Sequence, residues 1–183
     1  MKVDLASLFE TLRTAVADSS TPAAAWQAVV AAVDTTGYHV PARVRDVDTS
    51  AEVGRVASQL SAGLAEEPPP PGLSFYFFGL FDSWDPDAER EGAGFYFSGG
   101  SGEPEEVLAE GDLDYFPEAR YLESDLLHAI KAAAPELGKE YLVFDYGLMF
   151  GAAGVLAKFA AREAGLSESL IVGFESGDFG CVT

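Results

Sequence analysis

The chain has 183 residues, 48% of them hydrophobic, and its 30 acidic against 11 basic side chains give a net charge of -19. That hydrophobic content, with 13 Phe, 7 Tyr and 2 Trp, excludes a disordered acidic polypeptide and suits one domain with a sizeable core. The acid excess argues against nucleic-acid or anionic-membrane binding, which needs clustered Lys and Arg, and points to a basic partner.

In chain order, Asp4 caps a first predicted helix whose Leu5, Leu8, Phe9, Leu12 and Val16 share one face. Thr21-Pro22 starts a second, with Trp26, Val29, Val30 and Val33 as its buried stripe and Gly37 as its stop. Residues 38–47 read as extended. Thr49-Ser-Ala-Glu52 matches a capping box and opens a third helix with Val53, Val56, Leu60 and Leu64 on one side. Four prolines, 68–71, then make a stiff connector. The expected organisation is one domain over 1–183: a helical part (1–65), a proline-rich connector (66–72) and a mixed α/β part (73–183).

Residues 73–100 organise that second part. Phe75, Tyr76, Phe77, Phe78 and Phe81, then Phe95, Tyr96 and Phe97, read as two paired strands joined by a long acidic loop that carries Trp84. Aromatics fall on both alternating faces of the first run, so that strand is expected to be covered on both sides. Residues 99–114 are polar and acidic, anchored by Val107 and Leu108. A helix is predicted over 117–134, with Tyr121, Leu122, Leu126, Leu127 and Ile130 inward. Residues 141–144 read as a strand, 148–164 as a helix ended by Gly165, 169–175 as a strand, and 178–182 as a last strand. Gly147, Gly151 and Gly154 would let that helix approach another backbone closely. The expected fold is α+β or α/β. It has a mixed sheet of about four to six strands, an aromatic antiparallel pair and a C-terminal strand–helix–strand unit, packed by the N-terminal helices.

Localisation is read as cytoplasmic. The first residues lack an uninterrupted apolar signal core, and residues 146–157 are too short to span a bilayer. Cys181, the single cysteine, permits neither an internal disulfide nor a cysteine-based zinc site.

No motif assembles a cofactor, metal or catalytic site. Asp85-x-Asp87-x-Glu89 starts like a calcium loop, but Arg90 stands where glycine is needed and Tyr96 where the bidentate acid belongs. Asp178-Phe-Gly180 has none of the other elements of a kinase magnesium site around it. Asp125 and His128 form only one of the two pairs that a di-metal bundle requires.

Charge clustering is the informative feature. Residues 82–125 hold 14 acids and two bases, a local net of -12, whereas the other 139 positions total -7. The expected partner-binding residues are Asp82, Trp84, Asp85, Asp87, Glu89, Glu91, Glu103, Glu105, Glu106, Asp112 and Asp114. The corresponding expectation is an acidic binding protein that neutralises a basic partner, most concretely an immunity protein inhibiting a bacterial toxin such as a nuclease. The alternative is a small enzyme or ligand-binding domain with a carboxylate pocket built from Asp145, Glu175 and Asp178, near the carboxyl ends of the C-terminal strands.

Overall fold

The computed structural model describes residues 3–85, 90–134, 143–174 and 179–181, with side chains throughout except at Trp84, Asp85, Arg90, Glu91, Phe144, Asp145, Phe179 and Cys181. The fold is α+β. Helices α1 (Leu5–Ala17), α2 (Pro22–Asp34), α3 (Ala42–Arg45) and α4 (Thr49–Glu66) precede an aromatic hairpin, β1 (Phe75–Asp85) and β2 (Arg90–Gly100). Helix α5 (Pro104–Glu110), strand β3 (Tyr121–Leu122), helices α6 (Asp125–Ala133) and α7 (Met149–Glu163), and strands β4 (Ser169–Phe174) and β5 (Phe179–Cys181) follow. The five strands form one mixed sheet in the order β3-β2-β1-β4-β5, antiparallel except where β1 pairs with β4.

Alternation along β1 divides the core into two layers. Tyr76, Phe78 and Leu80, with Phe95 and Phe97 of β2, join the large cluster contributed by α1, α2, α4, α6 and α7. Phe75 and Phe77, with Tyr96 and Ile171, form a smaller cluster on the opposite face, closed by Val107, Leu108 and Leu113. Both faces of the aromatic strand are covered, as its sequence implies. Helix α7 is the axis of the larger layer. Its Ala- and Gly-rich sequence is buried on nearly every side, between the N-terminal helices and the sheet. The close approach permitted by Gly147 and Gly151 is to side chains rather than backbone: Leu8 and Val29 fill the space that a Cβ would need.

The caps of α1 and α2 are those read from the sequence, Asp4 and Thr21. Five local expectations are corrected. The long acidic loop expected over 82–94 is largely strand: β1 runs on to Asp85 and β2 starts at Arg90, because Ser83, Gly92, Ala93 and Gly94 are small enough for the ladder to continue past the aromatic runs. Residues 42–45 form the short helix α3 instead of extended chain. Val44 is buried there, Arg45 reaches Asp34 at 2.8 Å, and the Trp26 indole N–H donates to the Arg45 carbonyl at 3.0 Å. Helix α4 is capped by Asp48, not by a Thr49–Glu52 box; Asp48 accepts from the N–H groups of Ser50 and Ala51. Glu52 is turned inward at 3% exposure. It accepts from the Ser124 hydroxyl at 2.9 Å and the Leu126 N–H at 3.4 Å, and it pairs with Arg55. It thus serves the start of α6, a different helix.

The predicted helix over 117–134 is only α6, which begins after the cap residue Ser124; residues 121–122 are instead strand β3. Finally, Val143–Leu148 is a π-helical turn running into α7, so residues 143 and 144 are not the end of a strand, and 141 and 142 lie outside the described residues. The parallel partner of β4 is β1.

Candidate partner-binding surface

Each strand of the β1–β2 hairpin is eleven residues long, with Phe75 opposite Gly100 at one end and Asp85 opposite Arg90 at the other. At about 3.3 Å per residue the two ends lie about 33 Å apart. Two glycines shape the face opposite α1, α2, α4, α6 and α7. A Cβ on Gly79 would collide with the Tyr96 ring, and one on Gly94 with the Phe81 ring, so each aromatic lies flat over a cross-strand glycine. The layer continues outward. Phe81 packs on Tyr121 with centroids 5.8 Å apart, and Tyr96 on Phe116 at 5.9 Å.

Phe116 and Tyr121 end the layer at the surface, 51% and 57% exposed. Between them lies Arg120, its guanidinium carbon 4.2 Å from the Phe116 ring centroid and 4.6 Å from that of Tyr121. The same guanidinium donates to the Pro117 carbonyl at 3.0 Å and to the Tyr121 hydroxyl at 2.9 Å.

This stretch has almost no regular structure, yet it is held along its length. Tyr115 bridges to Gly99, and the Phe97 N–H donates to the Arg120 carbonyl at 3.0 Å. From α4 and its end come four more ties. The Tyr115 hydroxyl donates to the Glu67 carbonyl at 2.5 Å, and the Glu67 carboxylate accepts from the Glu118 N–H at 2.7 Å. The Gln59 side-chain amide exchanges two bonds with the Glu123 backbone, at 2.8 and 3.1 Å. Burial, assisted by Tyr76 and Glu67, pushes the Tyr115 phenol up to about 12, so it stays a donor at neutral pH.

The predicted interface residues are distributed over this frame as two groups. Asp82 is 78% exposed near the hairpin tip and meets Lys131 of α6 at 2.6 Å. The backbones of Trp84, Asp85 and Glu91 lie in the tip strands, while Asp87 and Glu89 are outside the described residues. Glu103, Glu105 and Glu106 sit at the other end, at the start of α5. There they line a cleft of about 500 Å³ with Glu10, Arg13 and Ile171. Asp112 and Asp114 follow α5, and Asp114 accepts from the Ser101 N–H at 2.7 Å. In total, ten of the 14 acids between 82 and 125 have described side chains, and all ten are exposed.

Of the alternative pocket, Asp145 is placed by its backbone in the π-helical turn, and Glu175 and Asp178 lie outside the described residues. Among the described residues no three His, Cys, Asp or Glu side chains converge as metal ligands, and no helix is long and apolar enough to cross a membrane. Sequence reading missed Phe116 and Arg120, and it turned Tyr121 inward. The overlooked signal was Ser124 before Asp125-Leu-Leu, a helix start that leaves 115–123 free to pair with β2. Comparison with known proteins finds no matching family model, no curated relative and no similar solved structure.

Proposed function

We propose that this chain is an acidic binding protein that neutralises a basic partner, most concretely a cytoplasmic immunity protein that inhibits a bacterial toxin through the toxin's cationic cleft. The observation that carries the reading is the uniform exposure of the ten described acids between Asp82 and Asp125, on a body whose net charge is -19. Such a field accelerates encounter with a cationic surface and penalises acidic competitors. A nuclease active site, built to attract phosphate, is a surface of that kind.

The test is recovery of a partner by the immobilised chain at rising salt. One basic protein is expected to be retained at low ionic strength and released as salt rises. Charge reversal at Glu103, Glu105 and Glu106, or at Asp85, Asp87, Glu89 and Glu91, is expected to abolish retention, and co-expression of the intact chain to relieve the partner's toxicity. A retained partner that is indifferent to salt and to both sets of reversals would remove the electrostatic basis of the proposal.

A further inference from the structure

We infer that Phe116, Arg120 and Tyr121 are the apolar anchor of the partner interface, and that they seat in an apolar recess bordered by Lys and Arg on a basic protein. This rests on the reading of the chain as a binder of basic partners and adds where the contact is centred.

Among the described residues, Phe116 and Tyr121 are the large hydrophobic side chains left exposed, and they are neighbours. Single exposed apolar residues are ordinary, but here two rings enclose an arginine and continue into a packed aromatic layer. Tyrosine and arginine are characteristic of interface hot spots. The anchor is also preorganised, because α4 and β2 fix the backbone on both sides of it. Little ordering entropy therefore remains to be lost on binding.

Charge defines the occupant. Residues 110–125 include Glu110, Asp112, Asp114, Glu118, Glu123 and Asp125, all exposed, against Arg120 alone. Along the sheet, the register places the anchor beside Phe95–Gly99 of β2, between the acidic α5 end and the acidic hairpin tip. An apolar centre with an acidic rim matches a basic rim around an apolar recess. A second copy of this chain would bring like-charged rims together.

The inference can be tested without the natural partner, using two synthetic peptides with equal numbers of lysines and arginines. One has Trp and Leu between the basic residues; the other has Gly and Ser. Each is titrated into the isotopically labelled chain while amide shifts are followed. The apolar basic peptide is expected to bind at least about tenfold more tightly, with shifts centred on residues 115–122. Phe116→Ala with Tyr121→Ala should erase that advantage and leave the weaker salt-dependent binding that both peptides share. Because both rings are only half-buried, the double variant should stay folded, with a lower urea midpoint but an unchanged slope and a dispersed amide spectrum, which separates lost contact from lost folding.

If both peptides bind equally and with salt dependence, or if the advantage survives the double variant, the anchor is refuted and the acidic-surface reading stands. If neither peptide binds at low salt, both fall.

Discussion

Replacing Glu52 should cost more stability than removing any exposed acid, although it belongs to the same excess of negative charge. In the folded chain its carboxylate accepts from the Ser124 hydroxyl and the Leu126 N–H and pairs with Arg55, which also bonds Asp125 at 2.7 Å. Glu52→Ala leaves the buried Ser124 hydroxyl proton and the first-turn Leu126 N–H of α6 without an acceptor and opens a void between α4 and α6. Breaking a buried pair in this way costs about 3–5 kcal/mol. Arg55 is nearly half exposed and keeps Asp125, so the lower end, about 3 kcal/mol, applies. Glu52→Gln retains an acceptor but loses charge-assisted bonds, a loss of about 1.5–2 kcal/mol. Ser124→Ala removes the α6 cap and one of the bonds that Glu52 accepts, while the carboxylate keeps Arg55 and the Leu126 N–H, a loss of about 1 kcal/mol.

With a urea slope of about 2 kcal/mol per molar, these losses lower the midpoint by about 1.5, 0.9 and 0.5 M, with the slope unchanged. Equilibrium urea unfolding followed by circular dichroism reads the order directly. A Glu52→Ala midpoint within 0.5 M of the parent's would show that Val53, Val56, Leu126 and Leu127 carry the α4–α6 contact by themselves.

Gly94→Ala should destabilise by about 1–3 kcal/mol, because the new methyl displaces the Phe81 ring; in a Phe81→Ala background most of that loss should vanish, a coupling that a double-mutant cycle measures. Tyr115 gives an alkaline limb. Its folded pKa lies above the unfolded value near 10, so its contribution is complete below about 10 and is lost as pH rises toward about 12. Tyr115→Phe should flatten that limb in urea midpoints measured across the range. Asp34 behaves oppositely. Burial raises its carboxyl, but bonds from Arg45 and the Val40 N–H, with the charges of Arg45 and His39, outweigh burial and hold it below the ordinary value. Its contribution is therefore present above the unfolded pKa and lost as pH falls through the lower folded one, and Asp34→Asn should weaken the acid dependence of unfolding below about pH 4.

Elements with a long period and a local cap were legible in the residues. Leu8, Leu12 and Val16, or Trp26, Val29, Val30 and Val33, mark a helix face whatever lies beyond it, and Asp4 and Thr21 cap within three residues. The aromatic hairpin was legible because its burial on both sides is written into consecutive Phe and Tyr residues. The misread places depend on partners far along the chain. Glu52 fits a local capping box, but the donors it accepts from, Ser124 and Leu126, are 72 and 74 residues away. Strand β3 is two residues long and exists through pairing with Phe95 and Tyr96, so no periodicity announces it. The acidic segment was visible as composition. Its division into two ends of a ribbon follows from the β1–β2 register, which composition does not contain.

That division changes what the charge can do. Screening at physiological salt acts over about 8 Å, whereas the hairpin tip and the start of α5 are separated by the length of the ribbon, about 33 Å. In the proposed complex the two acidic groups would therefore meet separate regions of a partner, with the exposed acids of residues 110–125 between them. A single compact cationic pocket can meet one group or the other. A partner that uses both would present basic surface over the whole length of β1 and cross the β3 edge of the sheet, beside Phe95–Gly99 of β2. Phe116, Arg120 and Tyr121 stand at that edge, held by α4 before any partner arrives. In the proposed complex, charge at the two ends would govern the rate and salt dependence of encounter, and the aromatic anchor how long the complex lasts. The backbone of Trp84 lies at one end of the ribbon, whereas residues 115–122 run beside Phe95–Gly99 of β2.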